Sequence, residues 1–302
     1  VRSSIASTMS IVGFGRDHTF AMELSKLGIR FKSMEGNAKN VISLMTFAKT
    51  LRKIKPNVIH IHIEQAFILL IFISRMIRPK SMIVRTVHGD HRQKGINALR
   101  RRLMINLAIR MFKVRWIACS SYIARIERET SGKEIAYIEN WAYIEALDEK
   151  KLMEVQDTLN SKFKGLPRLL LIGNCDSNKN HIEILSNKAI LEKYVVIHVG
   201  STNMADQEEL RLLSKNTIVN LNVEASIAYA ISDIIVVPSI KEAMSVVILE
   251  ALILGKEILV SREWGAWWSY NFESKPSELL PGYWKLEKQS NIAYLKYRFS
   301  PM

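Results

Sequence analysis

At roughly 150 residues per domain, 302 residues give room for two domains that each bury a core. Hydrophobic residues make up 48% and charged residues 24%, a globular balance that excludes wholesale disorder. The net charge of +14 lies wholly in the first half: residues 1–150 carry 26 Lys and Arg against 12 Asp and Glu, and residues 151–302 carry 17 of each. Such asymmetry points the first half toward a polyanion, either nucleic acid or the anionic face of a membrane.

Ala66 to Ser74, the longest uncharged apolar run, reaches about half the length of a membrane span. No export signal is evident. Cys119 and Cys175 lie far apart without CxxC spacing, which suggests neither a disulfide framework nor a zinc site, and a reducing, cytoplasmic location is expected.

In chain order, Val12-Gly13-Phe14-Gly15-Arg16 follows no clear strand, and the glycines read as a loop. Val41 to Lys55 is helix-like. The next segment, Pro56 to Ile63, alternates branched apolar residues with His60 and His62 and reads as a buried strand. These two histidines share a strand face, an arrangement that suits either a structural strand or a metal. An apolar helix over 66–77 follows, then a strand from Ser81 to Val87 that stops at His88-Gly89-Asp90. From Gly95 to Lys113, Ile96, Leu99, Leu103, Leu107 and Met111 recur every three or four residues, with Arg100, Arg101, Arg102, Arg110 and Lys113 between them. That spacing predicts a basic amphipathic helix, facing either a core or an anionic interface. Val114 to Cys119 is a third strand, Ser120-Ser121 caps a helix, and Ile135 to Ile138 is a fourth strand leading into Glu139-Asn140-Trp141.

The polar stretch 148–165 reads as a connecting helix and linker, after which the pattern restarts. Strands are expected at 168–173, 194–199, 217–220, 234–237 and 257–260, with helices at 181–191, 206–214, 227–231 and 246–254. Alternating strands and helices predict an α/β protein with parallel sheets, and two Rossmann-like domains in tandem. Their expected bounds are 1–147 and 166–302, the second ending in a Trp-rich tail that holds four of the six tryptophans.

The densest chemical signal is Ser232-Asp233-Ile234-Ile235-Val236-Val237-Pro238-Ser239, followed by Ile240 to Ala251. A buried strand ends at Pro-Ser, a turn of small residues follows, and a helix begins with its free N–H groups at the strand ends, where ligands of such sheets bind. Glu242 lies in the turn, and Glu250, eight residues on, lies inside an otherwise apolar helix where a buried carboxylate needs a partner. Two acceptors at different depths suit one extended polar ligand.

This stretch resembles the Glu-x7-Glu segment of the family-4 retaining glycosyltransferases of GT-B fold, in the form seen in polysaccharide, capsule or O-antigen assembly. Leu171-Ile172-Gly173-Asn174-Cys175 with Lys179-Asn180-His181 looks like that family's first donor-domain strand and phosphate loop. In the first half, Val58 to His62, Thr86-Val87-His88-Gly89, Ala118-Cys119-Ser120 and Ile138-Glu139-Asn140 fall in the family's order. The resemblance implies a sugar transfer from a UDP- or GDP-linked donor to a lipid-linked or polysaccharide acceptor. Glu250 would accept hydrogen bonds from the ribose diol, while Glu242 would contact the donor sugar and His88 would line the cleft beside it. Lys179 and Asn174 would neutralise the leaving diphosphate, with Gly173, Ala243, Met244 and Ser245 around the donor. No metal is expected, and no nucleic acid, since no aromatic-interleaved basic platform appears. The basic helix implies peripheral binding at the inner face of the plasma membrane.

Family members carry a first strand, a Gly-rich loop and a helix before the point that Leu27-Gly28-Ile29 matches. The sequence does not display them, so the first domain is expected to be incomplete. Asn174 stands where the family has arginine, and Ala243 and Ser245 stand where it has glycines. A catalytically lapsed or truncated protein that binds a nucleotide-sugar or a partner without turnover is therefore the alternative.

Overall fold

The computed structural model describes residues 9–14, 21–26, 28–34, 37–144, 146–202, 208, 211–212, 218–261, 274–277 and 283–286. Two units separate: Val1–Ala118 with Ala124–Tyr137, and Cys119–Ile123 with Ile138–Met302.

The first unit opens with β1 (Ser10–Phe14), α1 (Ala21–Lys26) and β2 (Arg30–Met34), and the two strands pair in parallel with Ser10 opposite Arg30. This corrects two expectations. Gly13 lies in a strand rather than a loop, and a strand and a helix do precede the segment that matches the family at Leu27-Gly28-Ile29. Glycine weakens a strand signal, but here it makes room: a side-chain carbon at Gly13 would come within 3.0 Å of the Phe31 ring on the neighbouring strand. Gly15 lies outside the described residues.

Next comes α2 (Val41–Ile54), capped by Asn40, whose side chain accepts from the N–H groups of Ile42 and Ser43. There follow β3 (Val58–Ile61), α3 (Phe67–Ile77), β4 (Met82–Val87), α4 (Gly95–Arg110), β5 (Arg115–Ala118), α5 (Ser121–Ser131) and β6 (Ala136–Tyr137). β3, β4, β5 and β6 form a parallel sheet in chain order. Ile59, Ile61, Ile83, Val87, Trp116 and Ala118 put their side chains into its core. Ser120 caps α5 as expected, its Oγ accepting from Ile123 N–H at 3.2 Å.

Helix α4 has the predicted period but turns its apolar stripe outward. Ile96, Leu99, Leu103, Leu107 and Met111 are 40–82% exposed, while Arg101, Ile105 and Ala108 are buried. The cause is a carboxylate demand inside the unit. Arg101 reaches both Glu64 and the fully buried Glu127, at 2.8 Å for the latter, and Glu64 also pairs with Arg85. Arg85 lies over the Phe67 and Trp116 rings, and Trp116 Nε1 donates to Glu127 at 2.9 Å. A buried Glu127 without a cation would be costly, so the helix presents its arginine inward.

The first helix lying wholly in the second unit is α6 (Glu149–Lys162), capped by Asp148, in the stretch read as a connecting helix. Then come β7 (Arg168–Ile172), α7 (Ile182–Leu185), α8 (Lys188–Lys193), β8 (Val195–Val199), β9 (Ile218–Leu221), α9 (Ala225–Ala230), β10 (Ile234–Val237), α10 (Val246–Ile253), β11 (Glu257–Ser261), β12 (Ser274–Pro276) and β13 (Tyr283–Leu286). The single helix expected over 181–191 is two short ones, because the Asn187 side chain accepts from Ile190 N–H and starts a new helix. The helix expected over 206–214 and the tryptophans at 264, 267 and 268 lie largely or wholly outside the described residues; Trp284 lies on β13.

Spatially the strands run β12-β13-β11-β10-β7-β8-β9. From β11 to β9 all pairs are parallel, and β13 and β12 add an antiparallel edge. The continuous apolar runs of β7, β8 and β10 fit burial on both faces. Chain order proceeds outward from β7 to β9 on one side and from β10 to β11 on the other. The order therefore reverses between β7 and β10, the point at which such sheets open a ligand crevice beyond their strand ends.

Candidate functional site

Two loops leave that reversal point, one after β7 and one after β10. The first begins at Gly173, with φ +133°, and runs beside Gly200 at the end of β8. Gly173 N–H donates to Val199 O and Cys175 N–H to Ser201 O, both at 2.9 Å. The chains pass so closely that a side-chain carbon at Gly200 would lie 1.9 Å from the Gly173 carbonyl oxygen. Only glycine fits there. The two loops are stitched together: Ile240 N–H donates to Asn178 O at 2.8 Å, and the Asn178 side-chain amide donates to Lys241 O at 3.0 Å.

Within this frame the structure brings Lys179 and Glu242 together. Lys179 Nζ lies 2.6 Å from Glu242 Oε1, which also accepts from Ser239 Oγ at 2.8 Å. The cation assigned to a diphosphate is thus held by the carboxylate assigned to the sugar. Asn174 is exposed at the loop's start, its side-chain oxygen accepting from Ser201 N–H at 3.3 Å.

Glu250 lies on α10, half-buried, and accepts from Tyr229 OH at 2.8 Å. Burial and then the Glu250 charge push the Tyr229 phenol far above its ordinary range, so it stays a donor. Tyr229 is the partner that a carboxylate in an apolar helix requires; the sequence reading passes over it because a tyrosine on a different helix carries no local signal. Ser245 precedes α10 as its N-cap with extended backbone, and the first-turn N–H groups of the helix follow. Ala243 and Met244 shape the loop through their backbone: Ser120 Oγ donates to Ala243 O at 3.0 Å, and the Asn140 side chain donates to Met244 O at 3.1 Å. Ser120 and Asn140 stood in the ordered family segments without a role; both belong to the second unit and support this turn.

His88 belongs to the first unit, just past β4. Its Nε2 lies 2.7 Å from His62 Nδ1, and His60, whose Nε2 lies 2.8 Å from Thr86 Oγ1, lies against His62 at a tilt with ring centroids 4.1 Å apart. Burial, then the neighbouring His62, Arg85 and His91, lower the His88 pKa; burial and then His62 and His88 lower that of His60 to about 4. These imidazoles are neutral near pH 7.

Among the described residues one set of side chains could hold a metal: Cys175, His181 and His198, all buried, with their ligand atoms within 4.8 Å of one another. Sequence spacing does not reveal it, because His198 reaches the others only through the pairing of β7 with β8. No helix among the described residues is long and apolar enough to cross a membrane.

Residues 156–266 match the family model described as Glycosyl transferases group 1. No curated protein sequence matches the chain. A solved glycosyltransferase from Rickettsia africae is similar in fold, with a TM-score of 0.66 and 18% identity over 96% of this chain and 79% of its own. Anabaena HepE, solved in complex with UDP and glucose, has a TM-score of 0.67 and 16% identity over 87% of this chain and 76% of its own. Sucrose-phosphate synthase from Thermosynechococcus elongatus is also similar, at a TM-score of 0.57 and 13% identity over 87% and 80% of the two chains. At such identities the likeness is one of fold, α/β with parallel Rossmann-like sheets as in GT-B proteins. The family match lies within the second unit, covers about a third of the chain, and supports a glycosyltransferase.

Proposed function

We propose that the chain transfers a sugar with retention from a nucleoside-diphosphate sugar bound in the second unit, and that the acceptor is a lipid-linked or growing glycan of the cell surface. The observation that carries this is the pairing of Lys179 with Glu242 across the two loops at the reversal point, with Glu250 on the following helix α10 held ready by Tyr229. In the reaction the bond between the anomeric carbon and the diphosphate oxygen breaks, and the acceptor hydroxyl oxygen bonds to that carbon on the same face. The hydroxyl proton passes to the departing diphosphate. Lys179 and the first-turn N–H groups stabilise the charge that develops on the diphosphate. Glu250 accepts from the ribose hydroxyls and Glu242 from the sugar. As Lys179 turns to phosphate it leaves Glu242, freeing that carboxylate for the sugar. Ala243, Met244, Ser245, Gly173 and Asn174 line the donor, and His88 keeps its expected role beside the sugar.

A uridine donor is favoured, because the Anabaena neighbour was solved with UDP and with UDP-glucose. The acceptor meets the first unit, whose positive charge and outward apolar helix fit an anionic membrane face. A second reading, a binder without turnover, draws support from Asn174, which leaves this loop one cation where the family has two. Titration with UDP, GDP and their glucose conjugates, followed by release of nucleoside diphosphate, distinguishes the readings. Saturable binding that Glu250→Ala weakens at least tenfold supports the donor site, and turnover separates the enzyme from the binder. Absence of binding in a folded sample overturns both.

A further inference from the structure

We propose that Cys175, His181 and His198 form a closed site for one d10 transition-metal ion, zinc or cuprous copper, behind the loop that carries Asn174 and Lys179. The three side chains are 0–1% exposed and come from three places: the loop after β7, the residue before α7, and the middle of β8. Cys175 Sγ lies 3.3 Å from His198 Nε2 and 3.9 Å from His181 Nδ1. With metal–sulfur and metal–nitrogen bonds of about 2.3 and 2.0 Å, sulfur and nitrogen on one ion lie roughly 3.5 Å apart at tetrahedral angles and 3.7 Å at trigonal ones. The observed pair of distances brackets those values, so an ion needs only small side-chain shifts.

The surroundings favour ligation over a bare hydrogen-bond pair. His198 Nδ1 lies 2.9 Å from Asn220 Oδ1. That oxygen is an acceptor, so Nδ1 carries the ring proton and Nε2 turns its lone pair toward Cys175. An imidazole oriented by a carbonyl oxygen on its far nitrogen is the usual outer contact of a metal-binding histidine. Thiolate and imidazole together select soft or borderline ions, and the set of three contains no carboxylate for magnesium or calcium. Charge favours cuprous copper: one thiolate neutralises one positive charge, whereas zinc would leave a buried charge and lack a fourth ligand.

An ion here would join β8 to both ends of the segment 175–181, which includes Lys179. It would stiffen the loop from behind without touching a bound ligand, a structural rather than a reacting metal. This site does not depend on the nature of the donor.

The test uses the reduced, metal-free full chain. Cuprous ion is offered in competition with bathocuproine disulfonate, and zinc in competition with a pyridylazo dye. Cobalt(II) is added separately as a spectroscopic probe for a thiolate charge-transfer band in the near ultraviolet. The expected result is one equivalent of copper or zinc retained per chain, a higher melting temperature, and a cobalt band. Uptake should fall to below about a tenth of an equivalent in Cys175→Ser and in His198→Gln. Retention of either ion alone supports the site and names the ion that its charge selects. A folded wild-type chain that retains neither ion and gives no cobalt band overturns the proposal, whatever the variants do. Equal retention by both folded variants overturns it as well.

Discussion

Glu250 is a carboxylate on a helix whose other residues are nearly all apolar, and the Tyr229 hydroxyl donates to it. A hydrogen bond to a charged group contributes about 1.5–3 kcal/mol. In Tyr229→Phe the carboxylate keeps its place on the helix but loses its orientation. Donor affinity should fall roughly tenfold, about 1.4 kcal/mol, as read by calorimetry with UDP and the wild type alongside. Unchanged affinity would remove Tyr229 from the site. The histidines of the first unit make a second prediction. Unfolded histidine takes up a proton near pH 6.5, whereas burial and then neighbouring histidines hold folded His60 down to about 4 and lower His88 too. The unfolded state therefore binds more protons in this window. Stability is fully present above pH 6.5 and falls as pH drops toward 4. Urea midpoints between pH 7 and 4.5 should decline, and His60→Gln should flatten the decline; a flat wild-type profile counts against the cluster.

At the scale of elements, α4 separates what a pattern says from what a neighbour decides. Ile96, Leu99, Leu103, Leu107 and Met111 make the helix legible, since spacing of three and four puts them on one face. Which face turns inward was not legible. It depends on Glu64 and Glu127, residues 37 and 26 positions from Arg101 in the chain. Truncating the arginine tests this: Arg101→Ala leaves Glu127 buried without its cation, and the first unit should lose about 3–5 kcal/mol in urea denaturation followed by Trp116 fluorescence. A loss below about 1 kcal/mol would mean that the network is structurally idle. Strand β1 illustrates the converse failure. Gly13 disguised it, and the space that the Phe31 ring occupies explains the glycine only once β2 lies alongside. The split of 181–191 into two helices belongs here too, because the Asn187 side chain takes the Ile190 N–H and so competes with one continuous helix.

Across the whole molecule, charge and apolar exposure converge on the first unit. Its excess of basic residues coincides with an outward stripe on α4, and α3 adds the exposed Leu69, Phe72 and Met76. Each basic residue near an anionic surface contributes on the order of 1 kcal/mol, screened by salt. The chain should therefore float with vesicles containing anionic lipid at low salt and dissociate as salt rises. The double variant Leu103→Glu/Leu107→Glu should float less. Equal flotation with neutral vesicles, or none with either, rules out the membrane assignment.

The sequence alone determined the alternation of strands and helices, the parallel sheets, the charge division and the Glu242–Glu250 segment. These follow from periodicity and from short motifs, which are local properties of the chain. Tertiary structure alone decided that the loops after β7 and β10 leave from the point where strand order reverses, that Lys179 reaches Glu242, and that Tyr229 serves Glu250. It likewise brought His198 to Cys175 across the β7–β8 pairing. Such contacts join residues that are distant along the chain, and their partners are set by strand order and packing, which no local pattern encodes.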